Sequence, residues 1–532
     1  PKTLCYQWVR YIEGAWTEGH GLKAYHLGGS SDKIKTATEL LALGVDVVVV
    51  SYDFVETSAR ARCRLPEELD QFTNDRSGLV RMPKRPNDIL HSAFWRRVGL
   101  PFKRVVLDEA QVVNKRNKPR HDAIKSLYYD SIIVMSGNLP HNKWHNFSGY
   151  VDFLAGHPFE DHQRFLRAFS TLDYDGRVDR PEQDRMIFLQ RFLMRFTIAR
   201  PSSMLKLKDC HSFRRYFNVD PAMAGMISEF VEAFERRRQM KGDKLPMEFD
   251  GSEDGEQMGL LVQAQLASMH PAMVPPKKKK KKDAEYGDED EDDEEDELAM
   301  PSEEMDAIYD YVDDKENNSH EKRRLWLEKV ADMNMTDLYH GSNRLSQFVK
   351  TWKKIRQQYP DRKVVVFSSF LKFLDLVAAA IKQEAGIVAL HYDGSVAQGH
   401  RPKVQKDFEE GPPDVPLLLT SGAGGFGLNI TCASVVIQTE IWWNANVEAQ
   451  ARARVHRQKQ TEEVLYLQLF ALNSDIDCFM AKAQHKKGTV NSEVMKPIVR
   501  DLSQALEIPA LLRGLPEMPV AKFKQHENLK EL

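Results

Sequence analysis

The chain has 532 residues, 42% of them hydrophobic and 29% charged, with a formal net charge of −3. That length is too great for one ordinary core and predicts at least two domains, and with no apolar run of about 18 residues no membrane span is predicted. Five cysteines (Cys5, Cys63, Cys210, Cys432 and Cys478) form no CxxC pair, which argues against a zinc ribbon, RING or finger and against a disulfide framework.

The N-terminal stretch "PKTLCYQWVR" lacks the basic-then-apolar layout of a signal peptide and opens on Pro1, as a fragment would. Short apolar runs then recur, each followed by a helix-like stretch. In the first half they are "DVVVVSY" (46–52), "RVVLDEA" (104–110) and "SIIVMSG" (131–137). Residues 144–276 read as mostly helical. The segment "KKKKKKDAEYGDEDEDDEEDE" (277–297) has almost no apolar content to offset ordering entropy and is expected to be disordered. Its lysines read either as a solvated linker or as a nuclear-import signal. Without that segment the chain holds 69 basic and 66 acidic residues, so the remainder is mildly basic and compatible with a phosphate-binding groove.

The second half repeats the rhythm with "KVVVFSS" (363–369), "VALHYDG" (388–394), "PLLLTSG" (416–422), "SVVIQTE" (434–440) and "VLYLQLF" (464–470). Continuous Val/Ile/Leu runs suit strands buried on both faces. Between two of them Phe370, Leu374, Val377, Ala378 and Ile381 share a helical face, with Gly386 as a stop. Strand, helix, strand in that order predicts parallel α/β, here twice over.

Three features carry chemistry. The tetrad Asp108–Gln111 lies at the end of a strand, where ligands of open α/β sheets bind. There one carboxylate can hold Mg²⁺ through water and its neighbour can polarise a water that attacks a γ-phosphate; an acidic pair in such a place is also commonly just solvated. "SGAGGFGLNI" (421–430) packs four glycines into six positions and exposes backbone N–H groups to phosphate oxygens. "QARARVHRQKQ" (450–460) sets Arg454 and Arg457 three apart, on one face if helical, where two guanidiniums can neutralise a transferring phosphoryl group. A Gly-rich turn, "IWWNANVEAQ" and then this arginine helix form a specific order.

In that order the chain resembles the SWI/SNF-like branch of the superfamily 2 helicases over nearly its whole length. "PKTLCYQW" is similar to motif Ia, "VVVVSYD" to Ib, "VVLDEAQ" to II and "VMSGNLPHNKW" to III. "LLVQAQLASMHPAMV" is similar to the helix that precedes the interlobe region, its His270 and Pro271 read as packing residues. "KVVVFSSF", "LLTSGAGGFGLNI" and "EAQARARVHRQKQ" are similar to motifs IV, V and VI. The resemblance implies two RecA-like parallel-sheet lobes of the P-loop NTPase fold. Their expected bounds are 1–215, with a helical insertion at about 144–200, and 341–490. Between them it places a helical segment (216–276) and a charged, largely disordered linker (277–340), with a tail at 491–532.

It further implies ATP and Mg²⁺ as cofactors, double-stranded DNA, nucleosomes and remodelling-complex subunits as partners, no membrane, no zinc, and a nuclear location. Asp108 would organise Mg²⁺, Glu109 would activate water beside Gln111, and Arg454 and Arg457 would be arginine fingers. Gln450 would orient them, with Gly425 and Gly427 near the nucleotide. Lys2, Trp8, Ser51, Tyr52, Ser368, Thr420 and Ser421 would touch the DNA backbone without reading sequence. The sequence departs from the family pattern at Gln111, where His is usual, and at Asn138 and Leu139, where Thr-Pro is usual. It contains no G-x-x-x-x-G-K-[ST] loop to hold the β- and γ-phosphates, which fits truncation before that loop and predicts weak ATP binding. The rival readings are a pseudo-ATPase scaffold on DNA or chromatin and an RNA helicase; a ubiquitin-ligase version is disfavoured by the missing cysteine cluster.

Overall fold

The computed structural model describes residues 2–15, 21–29, 32–74, 81–83, 89–137, 140, 143–170, 180–240, 253–275, 320–394, 396–397, 399–420 and 428–499. Every apolar run singled out above forms a strand. In the second half these are β6 (Lys363–Ser368), β7 (Leu390–Tyr392), β8 (Leu417–Thr420), β9 (Ala433–Gln438) and β10 (Val464–Ala471). With β5 (Cys210–Phe217) they make one parallel sheet in the order β5-β10-β9-β6-β8-β7. Residues of β8 and β9 are buried throughout, as strands covered on both faces must be. The Leu371–Ala385 helix covers one face with Leu374, Val377 and Ile381. It ends at Gly386 in a left-handed conformation (φ 69°) that glycine adopts without a Cβ penalty.

The edge strand β5 (Cys210–Phe217) corrects the expected first-lobe bound of 215, because it pairs along its whole length with β10. Its sequence, "CHSFRRYF", carries no continuous apolar run, and as an edge strand it has no buried residue. The expected linker is corrected at its end as well. Helices at His320–Asp332 and Met335–Tyr339 bury Trp326, Val330 and Leu338 in the same core as the sheet; the charged run 277–297 lies outside the described residues.

In the first half, β1 (Ala24–His26) pairs with β2 (Val47–Val49), and β3 (Val105–Leu107) with β4 (Ile132–Val134), both in parallel. Burial on both faces is not met here: Leu107 is buried, but the paired Val106 and Ile133 are 52% and 43% exposed. The inward face rests on an aromatic core that includes Trp144, Phe147, Phe165 and Phe169 from the expected helical insertion. The long C-terminal helix Asp475–Met495 runs past the bound expected at 490. Its Val494, with Ile498 just beyond, enters this first core, and Gln190 Nε2 donates to the Glu493 carbonyl at 2.9 Å. One helix therefore starts in the second-half core and ends in the first.

His270 behaves as the packing residue its position suggested. Its Nδ1 accepts from the Ala272 N–H at 3.0 Å and its Nε2 lies 3.1 Å from the Leu338 carbonyl, so the ring is neutral and protonated at Nε2. Burial pushes the imidazole down to about 4. A folded state that resists protonation is fully stabilised above the ordinary histidine pKa and loses stability as pH falls towards the folded value. Between pH 7 and pH 4 this one group is expected to account for about 3 kcal/mol of lost stability. Urea denaturation at both pH values should show that His270→Asn flattens the loss; an unchanged slope would refute the assignment.

Candidate active site

The site begins where β3 ends. Leu107 is anchored in the core, Met135 N–H donates to its carbonyl at 2.8 Å, and Ala110 N–H donates to the Met135 carbonyl at 2.9 Å. Between these two bonds the chain turns sharply, with Glu109 held in the left-handed region at φ 50°, ψ 50°. For a residue with a Cβ this costs on the order of 1 kcal/mol or more. The turn thereby lifts the carboxylates of Asp108 and Glu109 off the strand end.

Each carboxylate has partners that fix it. The Trp8 indole N–H donates to Asp108 Oδ2 at 3.3 Å, and the Tyr52 hydroxyl donates to the Asp108 carbonyl at 2.8 Å. Burial, helped by the negative charges of Asp108 and Glu109, raises the Tyr52 hydroxyl far above its ordinary value, so it stays a donor. Gln111 Nε2 donates to Glu109 Oε2 at 3.0 Å, while Ser136 Oγ donates to Gln111 Oε1 at 2.9 Å. The amide at the position where His is usual thus links the Glu109 carboxylate to the Ser136 hydroxyl.

The 3-10 turn behind the pair, Ala110–Val113, is braced from below. His121 Nδ1 lies 2.8 Å from the Val113 carbonyl and its Nε2 2.9 Å from Asp152 Oδ2, which also accepts from Lys125 at 2.8 Å. Burial alone would raise the Asp152 carboxyl. The hydrogen bonds from His121 and Lys125 and the charge of Arg116 outweigh it and hold the group well below the carboxylate range.

The second half brings its cation to the same place. The Ala445–Val455 helix starts at Asn444, whose side chain accepts the Asn446 N–H, and its last turn carries Arg454. The Arg454 guanidinium lies 3.8 Å from Glu109 Oε1. Burial pulls its pKa down, Glu109 pulls it back up, and the nearby charge of Arg457 lowers it again. Arg457 itself departs from expectation: the helix stops at Val455 and is capped by His456, so Arg457 stands beyond it, exposed, rather than on the Arg454 face. Gln450, one turn before Arg454, has a buried Nε2 with no hydrogen-bond partner among the described residues. Such an N–H carries a desolvation cost that a phosphate oxygen would relieve. The anionic strand end, the buried guanidinium and this orphaned donor fit a Mg²⁺–nucleotide between the halves.

The DNA-contact set fares differently. Ser51, Ser368 and Thr420 are only 4%, 0% and 1% exposed, and a hydroxyl without surface cannot meet a phosphate. Ser51 Oγ instead accepts the Phe54 N–H at the start of the Tyr52–Asn74 helix. Ser368 Oγ donates to the buried Glu440 at 3.0 Å. Tyr52 and Trp8 face the acidic pair. Ser421, Gly425, Gly427, Asn138, Leu139 and the Lys2 side chain lie outside the described residues. The Trp8–Asp108 contact and the Asp152 brace had no sequence signal; Ser136 lay unremarked in the stretch read as motif III.

A family model described as the SNF2-related domain matches residues 1–212, and one described as the helicase conserved C-terminal domain matches residues 345–459. The DNA repair protein RAD5 of Gibberella zeae is 35% identical over 191 residues, covering 35% of this chain and 16% of that protein. RAD5B of Arabidopsis thaliana is 36% identical over 160 residues, covering 30% of this chain and 12% of that protein. The matched stretches thus span less than a fifth of these relatives. Among solved structures, the Sulfolobus solfataricus SWI2/SNF2 ATPase core in complex with dsDNA aligns with a TM-score of 0.34 and 17% identity, over 92% of this chain and 81% of that one.

Proposed function

Because the chain belongs to the SWI/SNF-like branch of the superfamily 2 helicases, we propose that it is the motor segment of an ATP-driven translocase acting on duplex DNA in chromatin. The observation that carries this reading is the approach of Arg454 to 3.8 Å from Glu109, which joins the leading and trailing halves at one point. Bound between them, Mg²⁺–ATP would supply a phosphoryl group for transfer to water. Asp108 would hold the metal through its waters, with Trp8 fixing one carboxylate oxygen. Glu109, kept in place by Gln111, would accept the proton of the attacking water. Arg454 would leave Glu109 for the phosphate charge, Arg457 would join it from the loop beyond the helix, and Gln450 would donate its unpaired N–H.

Repeated closing of the halves would then step the protein along DNA and displace bound proteins such as histones, in a nuclear setting. As an isolated polypeptide the chain is expected to turn over slowly, because no G-x-x-x-x-G-K-[ST] loop is among its residues.

Glu109→Gln tests the reading in the full-length protein. The amide keeps the shape but cannot take a proton, so DNA-stimulated ATP turnover should fall by about 10²-fold or more while duplex binding stays within two-fold, roughly the effect expected for losing a general base. Turnover at the parent rate would remove Glu109 from the mechanism. No DNA-stimulated turnover in the parent protein would favour the scaffold reading, and processive unwinding of RNA the RNA-helicase one.

A further inference from the structure

Away from the cleft, Asp209, His211 and Glu463 bring three metal-ligating atoms within 4.8 Å of one another, one such group among the described residues. The β-ladder imposes this arrangement. β5 and β10 run parallel with Cys210 opposite Val464 and His211 opposite Leu465, and the Val464 N–H donates to the Asp209 carbonyl at 2.9 Å. Side chains two apart on a strand share a face. Asp209 and His211 therefore stand on one face, and Glu463, the residue before Val464, stands level with Asp209 on that face. Cys210 points the other way.

The imidazole is held for this role. His211 Nε2 lies 3.4 Å from the Glu463 carboxylate, and the Phe213 ring stacks against it with centroids 6.5 Å apart. All three side chains are exposed, which leaves room for water to complete a coordination shell. One imidazole nitrogen and two carboxylate oxygens form a donor set for a borderline divalent ion such as Zn²⁺, Co²⁺ or Mn²⁺; Ca²⁺ takes oxygen ligands alone. At the Glu463 end, the Arg362 guanidinium is engaged with the neighbouring Glu462 at 3.2 Å and with the Glu463 carbonyl.

We propose that Asp209, His211 and Glu463 bind a divalent transition-metal cation that clips the edge strand β5 to β10. The clip sits next to the Lys208 carbonyl, which His456, the cap of the Arg454 helix, contacts at 2.6 Å. A cation here stiffens the path by which the chain enters the second sheet, and the arginine helix is moored to that path. The site is independent of the cleft reading, so the failure of either leaves the other standing.

Isothermal titration of the chain with ZnCl₂, backed by the absorption spectrum of bound Co²⁺, tests the proposal. One equivalent is expected to bind and to raise the melting temperature. His211→Ala and Glu463→Gln, both at exposed positions, should each weaken binding roughly ten-fold or more, the scale of a lost ligand or its support. Cys63 and Cys432 are the exposed thiols that would compete, so Cys63→Ser/Cys432→Ser should bind as the parent does, with no thiolate charge-transfer band in the Co²⁺ spectrum. Binding that survives His211→Ala, binding that vanishes with the two thiols, or no binding at millimolar Zn²⁺ would each overturn the proposal.

Discussion

Arg454→Ala is expected to lower DNA-stimulated ATP turnover by about 10³–10⁵-fold, the range for removing an arginine finger. The side chain is buried, faces Glu109 at 3.8 Å and shares its surroundings with Arg457. No other cation is paired with the Glu109 carboxylate among the described ion pairs, so a substitute is not at hand. Arg457→Ala should cost less than Arg454→Ala, because Arg457 stands exposed beyond the helix while Arg454 is buried against Glu109. Steady-state ATPase of the full-length protein with saturating duplex DNA, set beside DNA affinity in a binding titration, measures both. Equal losses of turnover and DNA affinity would reassign Arg454 to DNA binding. Arg454→Lys helps to separate charge from shape: an ammonium neutralises Glu109 but cannot offer a planar fork to a phosphoryl group. It should therefore preserve the fold while recovering little of the rate.

Breaking the Arg344–Asp477 pair is the second large effect, and it acts on stability. Both side chains are fully buried, with Arg344 Nη2 at 2.8 and 2.9 Å from the two Asp477 oxygens. The guanidinium also donates to the carbonyls of Ser268 and Thr439 at 2.9 Å, and its face lies over Phe217. Asp477 in turn accepts from the Ala471 N–H at 2.9 Å and from Ser474 Oγ at 3.1 Å. One ion pair thus ties the helices Glu253–Met269, Asn343–Gln358 and Asp475–Met495 to the ends of β9 and β10. Removing either partner strands the other charge in the core, at a cost of about 3–5 kcal/mol. Chemical denaturation of Arg344→Ala and Asp477→Ala should show it, and the double variant should lose less than the sum of the two. A single-variant loss below about 1 kcal/mol would mean that water reaches the stranded charge.

These two sites differ in how far the sequence announced them. Asp108, Glu109 and Arg454 were legible because each lies beside an apolar run that had to be a strand or an ordered motif that fixed its place. Arg344 and Asp477 were not, since a lone Arg in an amphipathic helix and a lone Asp near a helix start read as solvated charges. Ser51, Ser368 and Thr420 erred in the opposite direction. The family resemblance implied that these hydroxyls face a DNA groove, yet Ser51 caps a helix, Ser368 partners the buried Glu440, and Thr420 is covered.

What the amino-acid order determined by itself was local: that the apolar runs are strands, where Gly386 stops a helix, and where acidic and basic residues cluster beside those runs. Those follow from apolar periodicity and backbone preference, both of which act over a few residues. The tertiary structure decided the rest: that β5 joins the second sheet, that the C-terminal helix reaches the first core, and that Arg454 rather than Arg457 meets Glu109. Each of these is a contact between segments far apart in the chain. Such contacts are chosen by which buried surfaces and charges can be satisfied together in three dimensions, a condition that no single stretch of sequence contains.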